Sequence, residues 1–325
     1  MIATTPTDIL QFIADRRAER VDTVLVTLIG IEGGSSRAIG AQMAVAADGR
    51  RIGSFSGGCV EDAVAAEALE TLGDGWGRVV RYGVGSPYID VRLPCGGGID
   101  LLFTPRPDPS AISAALAKLA QREEACLSVE CDGVVSVPDP TPRAWDGQNL
   151  HHTYRPSLQI HALGQGEDLT AFARLGTHFG VKMHALTPDQ PTCDDLLREG
   201  IETTFLATRN TLPITQSDPW TAFVFLFHGR DWEEKLLPQA LALPSFYLGA
   251  IGSRRTHAAR LAMLEHADVP PEQIGNVRGH IGLIPATRDP ATLALSILGE
   301  IVADFNTLAR WSHWMGEPLV ARSNV

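Results

Sequence analysis

The sequence predicts an α/β protein in two parts, an N-terminal mixed α/β domain followed by a C-terminal Rossmann-like domain with a parallel sheet. Three observations predict it. The chain has 325 residues, more than one ordinary domain usually holds. Hydrophobic residues make up 44% and charged residues 20%, a balance that suits globular folding and argues against disorder. After Pro156, apolar strand patterns alternate with helical ones, the rhythm of a parallel sheet covered on both sides. The expected organisation is a domain over 1–108, a connector helix and hairpin over 109–156, and the Rossmann-like domain over 157–325.

The elements follow in order. Residues 1–20 form an amphipathic helix with early charges, and "VDTVLVTLIGIEG" (21–33) a buried strand. "AQMAVAADGRRIGSF" (41–55) is a hairpin whose Asp48-Gly49 pair supplies positive backbone angles. A helix from about Cys59 to Leu72 carries Val60, Val64, Ala68 and Leu72 on one side and stops in "GDGWG". Strands "RVVRYGV" and "IDLLFTP" flank the loop "GSPYIDVRLPCGGG". After "PRPDPS" comes the helix "AISAALAKLAQREEA", then a hairpin from "CLSVECDGVVSVPDP" that runs into a Pro/Asp/Gly/His-rich linker. In the second half, "SLQIHALG", "VKMHAL", "TAFVFLFH" and "SFYLGAIG" are strands. "EDLTAFARLGTHFG", "DWEEKLLPQALAL" and "ATLALSILGEIVADF" are helices.

A formal net charge of −11 disfavours nucleic acid and anionic membranes as partners. The residues of positions 1–20 do not have the pattern of a signal peptide, and no apolar stretch is expected to reach membrane-spanning length. Five cysteines (59, 95, 126, 131 and 193) are too few for a disulfide framework in so long a chain. The expected location is the cytoplasm, with reduced thiols.

"SFSGGCVEDAV" (54–64) places Gly57, Gly58 and Cys59 at the opening of a helix. Unpaired N–H groups and partial positive charge there favour an anion and lower a thiol pKa. "GGSSRAIG" (33–40) adds Ser35, Ser36 and Arg37, suited to phosphate. "PCGGG" (94–98) sets Cys95 beside Gly96 and Gly97. Two thiols in glycine loops suggest a soft, sulfur-containing or metal-bearing anion, against the plain alternative of buried small hydrophobes in turns. Cys126, Cys131 and Cys193 are expected to be structural. In "LGAIGSRRTHAARL", Gly252 precedes a Ser253 N-cap, with Arg254 and Arg255 in the first helical turn. The dipole disfavours cations there by up to about 1 kcal/mol each, and an anion bridging them would reverse that cost. Gly164 and Gly166 sit where a dinucleotide-binding turn would be, but Glu167 and Asp168 follow and Leu169 replaces the third small residue. His228, at a strand's carboxyl end with Asp231 beyond it, could supply an acid–base or metal-ligating group.

Taken together, "GGSSRAIGAQMAV", "GRRIGSFSGGCVEDAV", "PCGGGIDLLF", "FYLGAIGSRRTHAARLAML" and "IGLIPATRDPATLALSILGEIVADF" resemble the XdhC/CoxI family. The likeness spans nearly all of the chain except the 108–156 connector. It implies a chaperone rather than a catalyst: a factor that binds the molybdenum cofactor (molybdopterin, in some members its cytosine dinucleotide form) and protects it. An L-cysteine desulfurase helps to install its sulfido ligand, and the cofactor is inserted into an apo molybdenum hydroxylase of xanthine dehydrogenase or aldehyde oxidoreductase type. A molybdopterin cytidylyltransferase is a further implied partner, and a homodimer the implied assembly. Ser35, Ser36, Arg37, Gly57, Gly58, Cys59, Glu61, Cys95, Gly96, Gly97, Gly252, Ser253 and Arg254 fall on the family's motifs. With Arg255 they are the expected cofactor-binding set, the ligand lying where the domains meet and Cys59 and Cys95 touching the molybdenum. The sequence departs from the pattern in lacking a proline after Ser36, in the turn Gly164-Gln165-Gly166-Glu167, and in "GLIPATRDP". The rival expectation is an NAD(P)-dependent oxidoreductase using the 164–166 turn. A third is a scaffold that binds only protein.

Overall fold

A computed structural model describes residues 5–58, 60–86, 96–138 and 144–308. The chain divides into two compact units, the first running to Pro156 and the second beginning at Ser157.

The first unit opens with α1 (Pro6–Ala18), whose entry is fixed by the Thr5 N–H donating to Asp8 Oδ2 (2.8 Å). Then come β1 (Thr23–Glu32), β2 (Gln42–Ala46), β3 (Arg51–Gly53), α2 (Glu61–Asp74), β4 (Arg78–Gly83) and β5 (Gly98–Pro105). In the β2–β3 turn Gly49 stands at φ +82°, but Asp48 is not at positive φ, so only the glycine of the expected Asp-Gly pair takes a positive angle. The five strands make one antiparallel sheet in the order β3-β2-β1-β5-β4. Both of its faces are covered. Val24, Val26 and Leu28 of β1 pack with Met43, Val45 and the line Val60, Val64, Ala68 and Leu72, which is the buried side of α2. Leu25 and Ile29 pack on the other face with Ile9, Leu10 and Ile13 of α1. Gly75, at φ +78°, ends α2.

The 109–156 segment, expected as a connector, is built into the core of the first unit. Its α3 (Pro109–Ala120) is capped by Asp108, which accepts from the N–H groups of Ser110 and Ala111 (2.8 Å each). β6 (Ala125–Glu130), β7 (Val134–Val137) and β8 (Asn149–Tyr154) form a small antiparallel sheet in the order β7-β6-β8. Ile112, Ala115, Leu127, Val129 and Tyr154 share one core with α1 and β1. A buried polar chain locks β8 in place. The Tyr154 hydroxyl donates to Gln42 Oε1 (2.7 Å), and Gln42 Nε2 donates to Thr27 Oγ1 (3.2 Å). The stretch that looks like a linker by composition is therefore a strand with a buried end.

The second unit contains β9 (Gln159–Gly164), α4 (Gly166–Phe179), β10 (Lys182–Thr187), α5 (Gln190–Arg198), β11 (Glu202–Phe205), β12 (Thr221–Leu226) and α6 (Arg230–Leu241). It continues through β13 (Tyr247–Ala250), α7 (Arg254–His266), α8 (Pro271–Ile274), β14 (Val277–Gly279) and α9 (Pro290–Leu308). Its six strands are all parallel, in the order β11-β10-β9-β12-β13-β14. β9 and β12 are buried along their whole length, as central strands covered on both faces must be. Ile160, Ala162, Ala222 and Val224 meet α4 and α9, whereas Leu163, Phe223 and Phe225 meet α6 and α7. Chain order reverses between β9 and β12, so their carboxyl ends flank the crevice where open α/β sheets take ligands. One expectation about the apolar segments needs correction: α9 is long and apolar enough to cross a membrane by length and composition. Its Ala294, Ile297, Leu298 and Ile301 belong to the second unit's core.

Candidate functional site

Two of the glycine segments singled out in the sequence meet directly at one end of the five-stranded sheet, and a third is bonded to them. Gly33 follows β1 at φ +74°, and a Cβ there would lie 3.3 Å from Gly97 Cα. A Cβ on Gly97 would lie 2.5 Å from the Gly34 oxygen and 2.6 Å from that of Glu32. Backbone thus lies on backbone, and glycine is required for the approach. The 54–58 loop is joined to this pair by side chains. The Ser36 hydroxyl donates to the Phe55 oxygen (2.8 Å), and Arg37 Nε donates to the Ser54 oxygen (3.2 Å). Ser35 turns back on its neighbour: its hydroxyl donates to the Arg37 oxygen (2.9 Å) and accepts from the Arg37 N–H (3.2 Å).

The head of α2 is organised differently from the expectation. Glu61, only 5% exposed, folds its carboxylate back into the preceding loop. It accepts from the N–H groups of Phe55 (2.9 Å), Ser56 (2.8 Å), Gly58 (2.7 Å) and Val60 (3.2 Å), and from the Ser54 hydroxyl (2.8 Å). The Gly57 N–H is taken up by Ser54 Oγ (3.0 Å). Burial alone would raise the Glu61 carboxyl, but donation from the Ser56 N–H, the Ser54 hydroxyl and further backbone groups outweighs it and holds the pKa at about 2. An internal carboxylate therefore sits where the sequence suggests a bound anion. Instead of offering a charge to a ligand, Glu61 shapes the loop. It does so by holding Gly57 (φ +76°) and Gly58 (φ +125°) in left-handed conformations, exposed, with open space where a side chain would be. Arg51 braces the same turn through the Glu61 carbonyl (3.0 Å) and the Asp62 carboxylate (2.7 Å).

The open donors lie on the neighbouring loop. Among the described residues, the backbone N–H groups of Gly34, Ser35 and Ser36 have no acceptor, and the terminal nitrogens of exposed Arg37 have no partner. Gly96, at φ +67°, is also exposed with open space around it. Cys59 and Cys95 lie outside the described residues. Of the remaining thiols, Cys126 and Cys193 are buried and Cys131 half-buried. Burial, with Asp132 and Asp194 beside them, pushes the Cys131 and Cys193 thiols up, away from nucleophilic use. A cavity of about 190 Å³ between α1 and α3, lined by Ile13, Arg17, Asp22, Arg106 and Ile112, includes none of these site residues.

In the second unit, Ser253 is an N-cap as expected: its Oγ accepts from the Thr256 N–H (3.2 Å). Gly252 stands at φ +136°, and a Cβ on it would come within 2.9 Å of the Thr256 side chain. Arg254 and Arg255 are exposed in the first turn of α7, with no ion pair among the described residues. At the β9–β12 crevice, His228 pairs with Asp168 in the first turn of α4 (3.0 Å). Gly164 is explained by packing, since a Cβ there would lie 2.8 Å from Leu226. Two acidic residues, Glu167 and Asp168, thus occupy the helix end that a dinucleotide's pyrophosphate would need.

Known protein families match segments of both units. Residues 16–83 match the XdhC and CoxI family, and residues 160–301 match the XdhC Rossmann domain. A molybdenum cofactor insertion chaperone of Escherichia coli (strain K12), PaoD, is 36% identical over 297 residues, which is 91% of this chain and 87% of that protein. A solved structure described as a xanthine dehydrogenase from Bacillus halodurans is 18% identical. It superposes with a TM-score of 0.74 over 92% of this chain and 96% of its own, a likeness of fold. The glycine segments of the first unit, the parallel second unit and this identity over almost the entire length lead to one conclusion: the chain belongs to the XdhC and CoxI family.

Proposed function

We propose that this chain is a chaperone that carries the molybdenum cofactor and inserts it into a molybdenum hydroxylase of xanthine dehydrogenase or aldehyde oxidoreductase type. The observation that carries the proposal is the junction of the glycine loops, where the loop bearing the open amides at 34–36 and the Arg37 guanidinium lies against Gly97 and is hydrogen-bonded to the Ser54 and Phe55 carbonyls. The 36% identity to a molybdenum cofactor insertion chaperone supports it. The cargo bears phosphate and other oxygen-rich groups, which suit N–H donors and a guanidinium. Ser35, Ser36, Arg37, Gly96 and Gly97 would hold those groups. Cys59 and Cys95 are proposed to meet the metal end, where thiolate is a fitting soft donor. Arg254 and Arg255 would take a phosphate or diphosphate, removing the penalty of two cations at a helix head. A carrier must also release its cargo, so several modest contacts serve better than permanent ligation. An L-cysteine desulfurase, a molybdopterin cytidylyltransferase supplying the cytosine dinucleotide form, a homodimeric state and a cytoplasmic location complete the reading.

The test is to purify the full chain from a molybdenum-replete host and measure bound molybdenum and pterin fluorescence. The wild type is expected to carry both and Cys59→Ala to carry much less. Nicotinamide binding, seen as quenched tryptophan fluorescence on NADH or NADPH titration without any pterin, would overturn the proposal in favour of an oxidoreductase. A hydroxylase-subunit complex with neither ligand would overturn it in favour of a protein-binding scaffold.

A further inference from the structure

Arg81, on edge strand β4, holds together the roots of the two touching loops. Its Nε donates to the Val84 oxygen (2.7 Å), at the start of the segment that leads back to Gly96. Its Nη1 donates to both oxygens of Asp100 (3.2 and 3.1 Å), three residues beyond Gly97 on β5. Its Nη2 pairs with Glu32, the last residue of β1 and the neighbour of Gly33. One guanidinium thus spans three chain segments, and two of them carry a glycine where a side chain would crowd it. A Cβ on Gly98 would lie 2.7 Å from Nη2, and one on Gly85 would lie 3.0 Å from Nε. On β1, a Cβ on Gly30 would lie 2.6 Å from the Asp100 carboxylate that Arg81 binds. Three glycines are therefore committed to seating one ion-pair cluster directly behind the loop junction. The planar guanidinium, with donors on three nitrogens, serves a carbonyl through Nε, one carboxylate through Nη1 and another through Nη2.

We infer that Arg81 is the positioning residue of the cargo site, fixing the 33–37 loop against 96–98; the inference rests on the function proposed above. Arg81 touches no cargo in this account. Without it, Glu32 and Asp100 confront each other across β1 and β5 with no cation between them, and the backbone approach at Gly33 and Gly97 loosens. The amides at 34–36 then no longer converge with Gly96.

The experiment uses the full chain as wild type, Arg81→Gln, Arg81→Lys and Arg174→Gln. The last removes an exposed ion pair with Glu199 in the second unit and controls for losing such a pair. Two quantities are read: molybdenum and pterin per folded polypeptide, and amide hydrogen exchange in peptides covering 30–37 and 96–104. Arg81→Gln is expected to lower occupancy at least fivefold and to speed exchange at least tenfold in both peptides together. Arg81→Lys should fall between it and wild type, and Arg174→Gln should change neither reading. Wild-type occupancy per folded polypeptide in Arg81→Gln would overturn the inference, as would wild-type exchange in either peptide. If wild type is empty of pterin while Arg81→Gln still loosens both loops together, the carrier proposal fails and the loop-fixing role stands.

Discussion

Replacing Glu61 by glutamine keeps its size and removes its charge, and the structure sets what that should cost. In the folded chain this carboxyl titrates at about 2 rather than its ordinary 4.5. At about 1.36 kcal/mol per pKa unit, the folded state favours the ionised form by about 3 kcal/mol. Glutamine forfeits that coupling and also turns an NH₂ toward backbone donors, so Glu61→Gln should destabilise the first unit by at least about 3 kcal/mol at pH 7. The sign with pH follows from a lowered carboxyl pKa. The contribution is complete above pH 4.5 and is lost as pH falls through the window from 4.5 to about 2. Denaturant unfolding of both proteins at pH 7, 5, 4, 3 and 2 measures it. The gap between wild type and variant should hold down to pH 5 and then close by most of its size. A variant within about 1 kcal/mol of wild type at pH 7, with a parallel pH profile, would refute the idea that this carboxylate fills the helix head.

Gly97→Ala should force the two touching loops apart, because its Cβ would lie 2.5 Å from the Gly34 oxygen. A loss of about 1–3 kcal/mol in unfolding and a matching loss of bound cargo are expected. Glu233→Ala leaves the fully buried Arg260 without the carboxylate it binds at 2.9 Å through both Nε and Nη2, and should cost about 3–5 kcal/mol in the second unit's unfolding. Burial lowers His152 from 6.5 to about 4, so its neutral form adds stability in full above pH 6.5, and that is lost as pH falls to about 4. The acid-side loss, up to about 3 kcal/mol by calorimetry, should be absent in His152→Phe.

Much of the fold is legible because its elements advertise their own packing. The line of four apolar residues on α2 and the uninterrupted apolar runs of β9 and β12 need only local periodicity to be recognised. β8 is not legible, because His151, His152 and Thr153 give it the look of a loop, while its anchor is a hydrogen bond from Tyr154 to Gln42, 112 residues earlier. β11 and β14 are missed for a related reason: both are short edge strands, of four and three residues, with little to bury. In the candidate site, the sequence marks the glycine segments but not how they are used. Glu61 sits two residues past Cys59 in an ordinary helix start, and nothing local signals that its side chain reverses into the loop. The partnership of His228 with Asp168 joins the end of β12 to the first turn of α4, far apart in sequence, which no local pattern signals.

The most direct test of the carrier site is equilibrium binding of isolated molybdenum cofactor to the full chain and to Arg37→Ala, followed by pterin fluorescence. Loss of a charge-assisted contact worth about 1.4 kcal/mol or more should weaken binding at least tenfold, while unfolding loses no more than the about 0.5–1.5 kcal/mol of the Arg37–Ser54 hydrogen bond. Equal affinity of the two proteins would contradict the assignment of the cargo to the 34–37 loop.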